Sequence, residues 1–177
     1  MGKASRPEAV LLFSSILYRE DAPLEEGKGL LLQRFGDTCF VSESLPFTYT
    51  DYYHQEMGAP LARIVMAFSG LVPRDCLPGV KTITNDIEDR FLRNGSRVLN
   101  IDPGILSLEN VCLATTKPYS HRIYLSRGIW AEVTLMFRRD SYQKLEWTYP
   151  DYASPEMIRI FNSLRDTYKR SIRCQEA

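Results

Sequence analysis

The chain has 177 residues, with 22 lysines and arginines against 22 aspartates and glutamates, two histidines and four cysteines. That length suits one domain, large enough to bury a core without disulfides or metal. A formal charge of zero excludes a global field that draws in nucleic acid or anionic membrane, so any such partner needs a local patch.

Cys39, Cys76, Cys112 and Cys174 stand singly, without the paired spacing of a zinc ribbon or redox motif. Cys39 and Cys112 fall in apolar segments, so reduced core thiols and a cytoplasmic location are expected. The apolar run Ala9 to Phe13 is too short for a signal-peptide core or a membrane span, and Arg6 stands where a myristoylation motif needs Ser or Thr. No membrane partner is expected.

Glu8 to Tyr18 is mostly apolar and lacks a helix cap, which predicts a buried strand inside the sheet. A helix over 23–35 follows, with Pro23 in its first turn, Leu24, Leu31 and Phe35 as its stripe and Gly36 at its end. Gly27-Lys28-Gly29 within it lacks the glycine spacing of a phosphate loop. Cys39, Val41, Leu45 and Phe47 alternate with Ser42, Ser44 and Pro46, the period of a half-buried strand. Thr50 to Gly58 is an aromatic, polar loop of the kind that carries sites. Leu61 to Ser69 resumes as a strand, and a Pro-rich turn runs through Pro73 and Pro78.

Asn85 suits the cap of a helix over 85–94, with Glu88 completing a capping box and Asn94-Gly95 closing it. A strand from Arg97 should end on a turn at Asp102-Pro103-Gly104. Asn100 and Asp102 alternate on one side of that strand. A strand covered by helices should spend those positions on apolar residues, so the pair is either satisfied internally or waiting for a ligand. The plain alternative for Asp102 is a turn former.

Val111 to Thr115 reads as a strand leading into Lys117-Pro118-Tyr119-Ser120-His121. A hairpin around Ser126-Arg127-Gly128 should pair Leu125 with Ile129, Tyr124 with Trp130 and Arg122 with Glu132. Ile129, Ala131, Val133, Leu135 and Phe137 then form a continuous core face. A further strand from Tyr142 to Tyr149, after a turn at Arg139-Asp140, groups Arg122, Tyr124, Trp130, Glu132, Trp147 and Tyr149 on the other face. The last helix, over 155–173, starts after Ser154 with Met157, Ile160, Phe161, Leu164 and Tyr168 as its stripe. Helices alternate with strands in the first half only. This predicts an α+β fold: one domain over 1–177, a mixed sheet, three flanking helices and a hairpin extension.

His54 and His121 are too few for the common His-rich catalytic metal sites, and no Gly-x-Ser-x-Gly elbow is present. Asp102, Glu132, Glu56 and Asp151 are suitable donors for a hard cation, but no spacing gathers them, so no metal or cofactor is assigned. Lys81, Asn85, Arg97, Asn100, Lys117, His121 and Arg122 lie at element ends around Asp102 and have the chemistry to hold a phosphate. Solvated surface charge is the plain alternative. Lys81, Asn85, Asn100, Lys117, His121 and Arg122, with Asp102, Tyr53 and Glu56, form the candidate ligand set, while Asp102 and Glu132 are the candidate catalytic carboxylates. Glu132 opposite Arg122 is equally a cross-strand ion pair.

The leading expectation is a domain that binds a small phosphorylated or nucleotide-like anion, with hydrolysis or transfer as its chemistry. The competing one is a non-catalytic RNA-binding or protein-interaction module whose aromatic sheet face resembles a stacking platform. Such faces are more often covered by a helix. Oligomeric state is left open.

Thr50-x-Tyr52-Tyr53-x-x-Glu56-Met57-Gly58, Thr84-Asn85-x-x-Glu88, Arg97-x-x-Asn100-Ile101-Asp102-Pro103-Gly104, His121-Arg122-Ile123-Tyr124 and Tyr149-Pro150-Asp151-Tyr152 together resemble a bacterial family, domain of unknown function 4416. The resemblance covers nearly the whole chain. It implies a compact bacterial protein of this size and carries over no activity, cofactor or catalytic residue.

Overall fold

The computed structural model describes residues 2–175. Its elements run β1 (Val10–Arg19), α1 (Leu24–Phe35), β2 (Thr38–Val41), β3 (Leu45–Phe47), α2 (His54–Met57), β4 (Leu61–Val72) and α3 (Leu77–Arg90). They continue as β5 (Leu99–Leu106), β6 (Asn110–Thr115), β7 (Ile123–Ser126), β8 (Ile129–Arg138), β9 (Ser141–Lys144) and α4 (Pro155–Gln175). The fold is α+β.

β1 is buried from Val10 to Leu17 because both of its faces are covered. Val10, Leu12 and Ile16 belong to a core with Leu31 of α1 and Leu77, Val80 and Ile87 of α3, while Leu11 and Phe13 join Met157, Phe161, Leu164 and Tyr168 of α4. The strands lie in the order β2-β4-β1-β5-β6-β8-β7, with β3 also on β4 and β9 also on β8.

The sheet is antiparallel at every pairing, which corrects the mixed sheet expected from the sequence. The reason is insertion. β1 and β2 do run parallel around α1, but β4 lies between them; likewise β4 and β5 run parallel around α3 with β1 between them. Two split strand-helix-strand units thus interlock, and each strand's immediate neighbours run opposite to it.

Several boundaries differ from expectation for identifiable reasons. α3 starts at Leu77 with Pro78 in its first turn, where a proline costs nothing, so the Pro-rich turn is the helix start and Asn85 lies mid-helix instead of capping it. Asn94 and Gly95, both at positive φ, form a separate turn bridged by Arg93 and Ser96. β2 and β3 are two short strands on β4; Cys39 is exposed while Phe40 turns inward, so Cys39 is not a core thiol. All four cysteines are free, with Cys76 and Cys112 half-buried and Cys174 exposed.

The hairpin turn consists of Arg127 and Gly128, at φ 55° and 75°. Tyr124 faces Trp130 as expected, but a bulge at Leu125 brings Ser126 opposite Ile129. A second bulge skips Thr134 as β8 pairs with β6. It flips the strand's inward series, so Ile129 and Ala131 reach the α1 and α3 side and Leu135 and Phe137 the α4 side, in place of one continuous core face. β9 ends at Lys144, well short of Tyr149. α4 begins as the sequence predicts, with the Ser154 hydroxyl accepting from Met157 N–H at 3.2 Å. Among the described residues no helix is long and apolar enough to cross a membrane.

Candidate ligand site

β5 does not end in a turn at Asp102-Pro103-Gly104; the strand runs straight through it. β6 follows β5 only along Gly104 to Leu106 and then leaves it, while staying paired with β8. From Pro103 back towards Leu99, one edge of β5 therefore has no strand beside it. Pro103 lies where the missing neighbour removes the need for an N–H. At Ile101, two positions away on the same edge, α3 supplies the missing partners. Glu88 Oε1 accepts the Ile101 N–H at 2.6 Å, and Lys81 Nζ donates to the Ile101 carbonyl at 2.9 Å. Buried backbone groups must be paired, so Lys81 and Glu88 act as a substitute strand.

The gap between the parting strands opens into a cleft of about 710 Å³, within the range of small-molecule sites. Asn100 and Asp102 form its β5 wall. Thr115, Lys117 and Arg122 form the opposite wall, Lys81 lies behind, and the segments carrying Tyr52, Tyr53, Tyr149 and Asp151 close over it with Arg63 of β4.

Three bonded groups fix these side chains. In the first, Glu56 accepts Arg97 Nε and Nη2 at 2.7 Å each, Arg97 Nη1 donates to Asn100 Oδ1 at 2.5 Å, and Asn100 Nδ2 donates to Asp102 Oδ2 at 2.8 Å. Asp102 is 3.7 Å from Lys81 Nζ and 4.0 Å from Arg63. The Arg97 bonds hold Glu56 below the usual carboxylate range, whereas burial raises Glu88. In the second group, Glu132 Oε2 accepts Arg122 Nε at 2.8 Å and lies 3.0 Å from His121 Nε2, while Arg122 Nη2 donates to the Tyr149 hydroxyl at 2.9 Å.

The third group is the one sequence reasoning missed. Arg63 donates to Ser15 Oγ at 2.6 Å and rests against the rings of Phe47 and Tyr152. Its Nη2 is ion-paired with Asp151 Oδ2 at 3.0 Å, while among the described residues the buried Arg63 Nε and Tyr152 hydroxyl have no hydrogen-bond partner. Burial raises the Asp151 carboxyl and lifts the Tyr53 and Tyr152 hydroxyls above their ordinary range. The available signal was an arginine inside the apolar run Leu61 to Ser69.

Of the expected ligand set, Tyr53, Lys81, Asn100, Asp102, Lys117 and Arg122 line the cleft, as do Arg97 and Glu132. Glu56 and His121 stand behind it as partners of Arg97 and Glu132, and Asn85 does not line it. Arg63, Lys81, Arg97 and Arg122 each have carboxylate partners. Lys117 instead donates to the Tyr52 hydroxyl at 2.9 Å, which lowers that hydroxyl's pKa. The hard-cation grouping of Asp102, Glu132, Glu56 and Asp151 does not form: among the described residues no three His, Cys, Asp or Glu gather as a metal site.

No curated protein and no solved structure matches the chain. A family model does match, over residues 8–168, and the chain accordingly belongs to the family described as domain of unknown function DUF4416.

Proposed function

We propose that this is a cytoplasmic protein whose cleft binds one small phosphorylated, nucleotide-like ligand. The observation that carries the reading is the parting of β5 and β6, which leaves a cleft of about 710 Å³ with tyrosines at its mouth and Lys117, an exposed cation that has no carboxylate partner among the described residues. Such a lysine suits a phosphoryl group, and the rings of Tyr52 and Tyr149 suit a flat body. The other cations around the cleft are matched by acids, so the reading specifies a ligand of few charges over a long polyanion. Hydrolysis or transfer of the bound group, with Asp102 at the wall, extends the same reading.

Thermal denaturation in the presence of nucleotides, sugar phosphates and divalent ions tests it. A ligand at a hundred times its Kd stabilises by about 2.7 kcal/mol, which corresponds to about 5–11 °C in Tm at this size. Lys117→Ala should remove most of that shift. A panel that leaves Tm unchanged sinks the reading.

The exposure of Tyr119, Tyr124, Trp147 and Tyr149 favours a second reading, a stacking surface for single-stranded RNA. Quenching of tryptophan fluorescence by a short oligonucleotide, lost in Trp147→Ala, is its expected result. An unchanged spectrum at micromolar RNA removes it.

A further inference from the structure

Asn100 and Asp102, the polar pair of β5, are not equally satisfied. Asn100 is spent at both ends: its carbonyl accepts from Arg97 and its Nδ2 donates to Asp102 Oδ2. Asp102 is spent at one. Among the described residues no group donates a hydrogen bond to its Oδ1, and Lys81 Nζ stands 3.7 Å away; the oxygen is unpaired without being buried. It is also within reach of a ligand. Three carboxylates line the cleft, Asp102, Glu132 and Asp151. Glu132 keeps 2% of its side chain exposed and Asp151 7%, both turned onto arginines, whereas Asp102 keeps 26%. Asp102 is therefore the open acceptor of the cleft wall, and the bond from Asn100 fixes which of its oxygens is left for a ligand.

The distance to Lys81 decides what fits. At 3.7 Å, Oδ1 and Nζ are too far apart to bond directly, but one oxygen about 2.8 Å from each spans them. Lys81 gives one N–H to the Ile101 carbonyl and has others to offer. The bridging atom must donate to the carboxylate and accept from the ammonium. A hydroxyl does both from one atom, whereas an ammonium or ring N–H only donates and a carbonyl only accepts. A base edge with its N–H and C=O on separate atoms has to seat both in one plane, and Lys81, with 8% of its side chain exposed, gives such an edge no open face. A ligand ammonium would stand beside that of Lys81.

We infer that Asp102 Oδ1 and Lys81 Nζ hold a sugar hydroxyl, so that the cleft takes ribonucleotides over nucleotides whose ribose lacks its 2′ and 3′ hydroxyls. This rests on the reading of the cleft as a nucleotide-like site and names the part of the ligand that the β5 wall meets. Lys117, on the opposite wall, meets the phosphoryl group. A site built around a hydroxyl rejects the analogue without it because the groups that served it are left unpaired. Asp102 is partly open, so water can refill the gap, and the discrimination expected is about tenfold, well below that of a sealed site.

The test titrates the full chain calorimetrically with the common ribonucleoside 5′-monophosphates and their 2′,3′-dideoxy counterparts. Each ribonucleotide that binds should do so about tenfold more tightly than its counterpart. Asp102→Asn removes the acceptor: its amide oxygen must turn to Asn100 Nδ2, which leaves an NH₂ towards Lys81 and the cleft. In that variant, shown to be folded by circular dichroism, ribonucleotide binding should weaken about tenfold while dideoxynucleotide binding holds, so the two members of each couple converge. Equal binding of the couples by the wild-type protein overturns the inference and leaves the phosphoryl-ligand reading intact, as does binding of sugar phosphates with no nucleotide bound. A preference that survives in Asp102→Asn, or a variant that weakens both members alike, overturns the assignment of the hydroxyl to Asp102. No binding by any phosphorylated compound overturns both readings. The wild-type comparison needs no mutant, so an unfolded variant does not shelter the proposal.

Discussion

Glu132→Gln should destabilise the protein by about 3 kcal/mol, or about 6–12 °C in Tm for a domain of this size. A cross-strand ion pair on an open sheet face contributes only about 0.2–1 kcal/mol. Burial changes the scale. The side chains of Glu132 and Arg122 are each 2% exposed, so removing the carboxylate's charge strands a buried guanidinium. Arg122 also donates to the Lys117 carbonyl at 3.0 Å and to the Tyr149 hydroxyl, so it ties the two segments that form the cleft mouth. Its displacement should loosen both. Urea denaturation of the variant gives the free energy, and a double-mutant cycle with Arg122→Gln should return a coupling of about 2 kcal/mol. A functional carboxylate kept free for chemistry behaves the other way: its amide variant is as stable as the parent or more so. A variant of unchanged stability would therefore move Glu132 from scaffold to chemistry.

Gly104→Ala is expected to cost at or above the upper end of the roughly 1–3 kcal/mol typical of overpacking. Gly104 is not at a positive φ, so backbone freedom is not the reason it is glycine. Space is. A Cβ there overlaps the Phe13 ring and comes within 2.6 Å of the Cys112 carbonyl oxygen. Phe13 is fully buried and packs edge-on to Phe161 of α4, and the carbonyl belongs to the neighbouring strand, so neither has room to yield. The added methyl must push β5 and β6 apart where their pairing begins. Thermal or chemical denaturation measures the loss, and a change below about 0.5 kcal/mol would show that the strands part more freely than the packing implies.

The same glycine shows where sequence reasoning reached its limit. Asp-Pro-Gly is a turn signature on local grounds, and only tertiary facts overrule it: a phenylalanine of the distant β1 that needs the space, and a strand edge with no neighbour to miss the proline's N–H. α3 repeats the lesson, since Asn85 and Glu88 make a plausible cap pair while the helix already runs from Leu77. Glu88 is spent instead on the Ile101 backbone. Where alternation or a stripe was sustained, as in β1, α1, α4 and the Tyr124–Trp130 rung, the pattern named the element directly. Asn100 and Asp102 were legible as a polar pair on one strand face because a period of two is enough to place them. Arg63 was not, because its partner Asp151 arrives from the far end of the chain and no local period joins them.

The placement of β1 at the middle of the sheet also has a consequence in time. During synthesis at about 5–20 residues per second, β5 follows β1 by roughly 4–17 s, and until then the most apolar strand of the molecule has at most one neighbour. Its other cover comes later still, from α4, where the Tyr168 hydroxyl closes on the Ala9 carbonyl at 2.7 Å. The nascent chain must therefore carry β1 with one edge open until β5 is made and one face open until α4 packs, the stretch of synthesis in which it is most prone to aggregate.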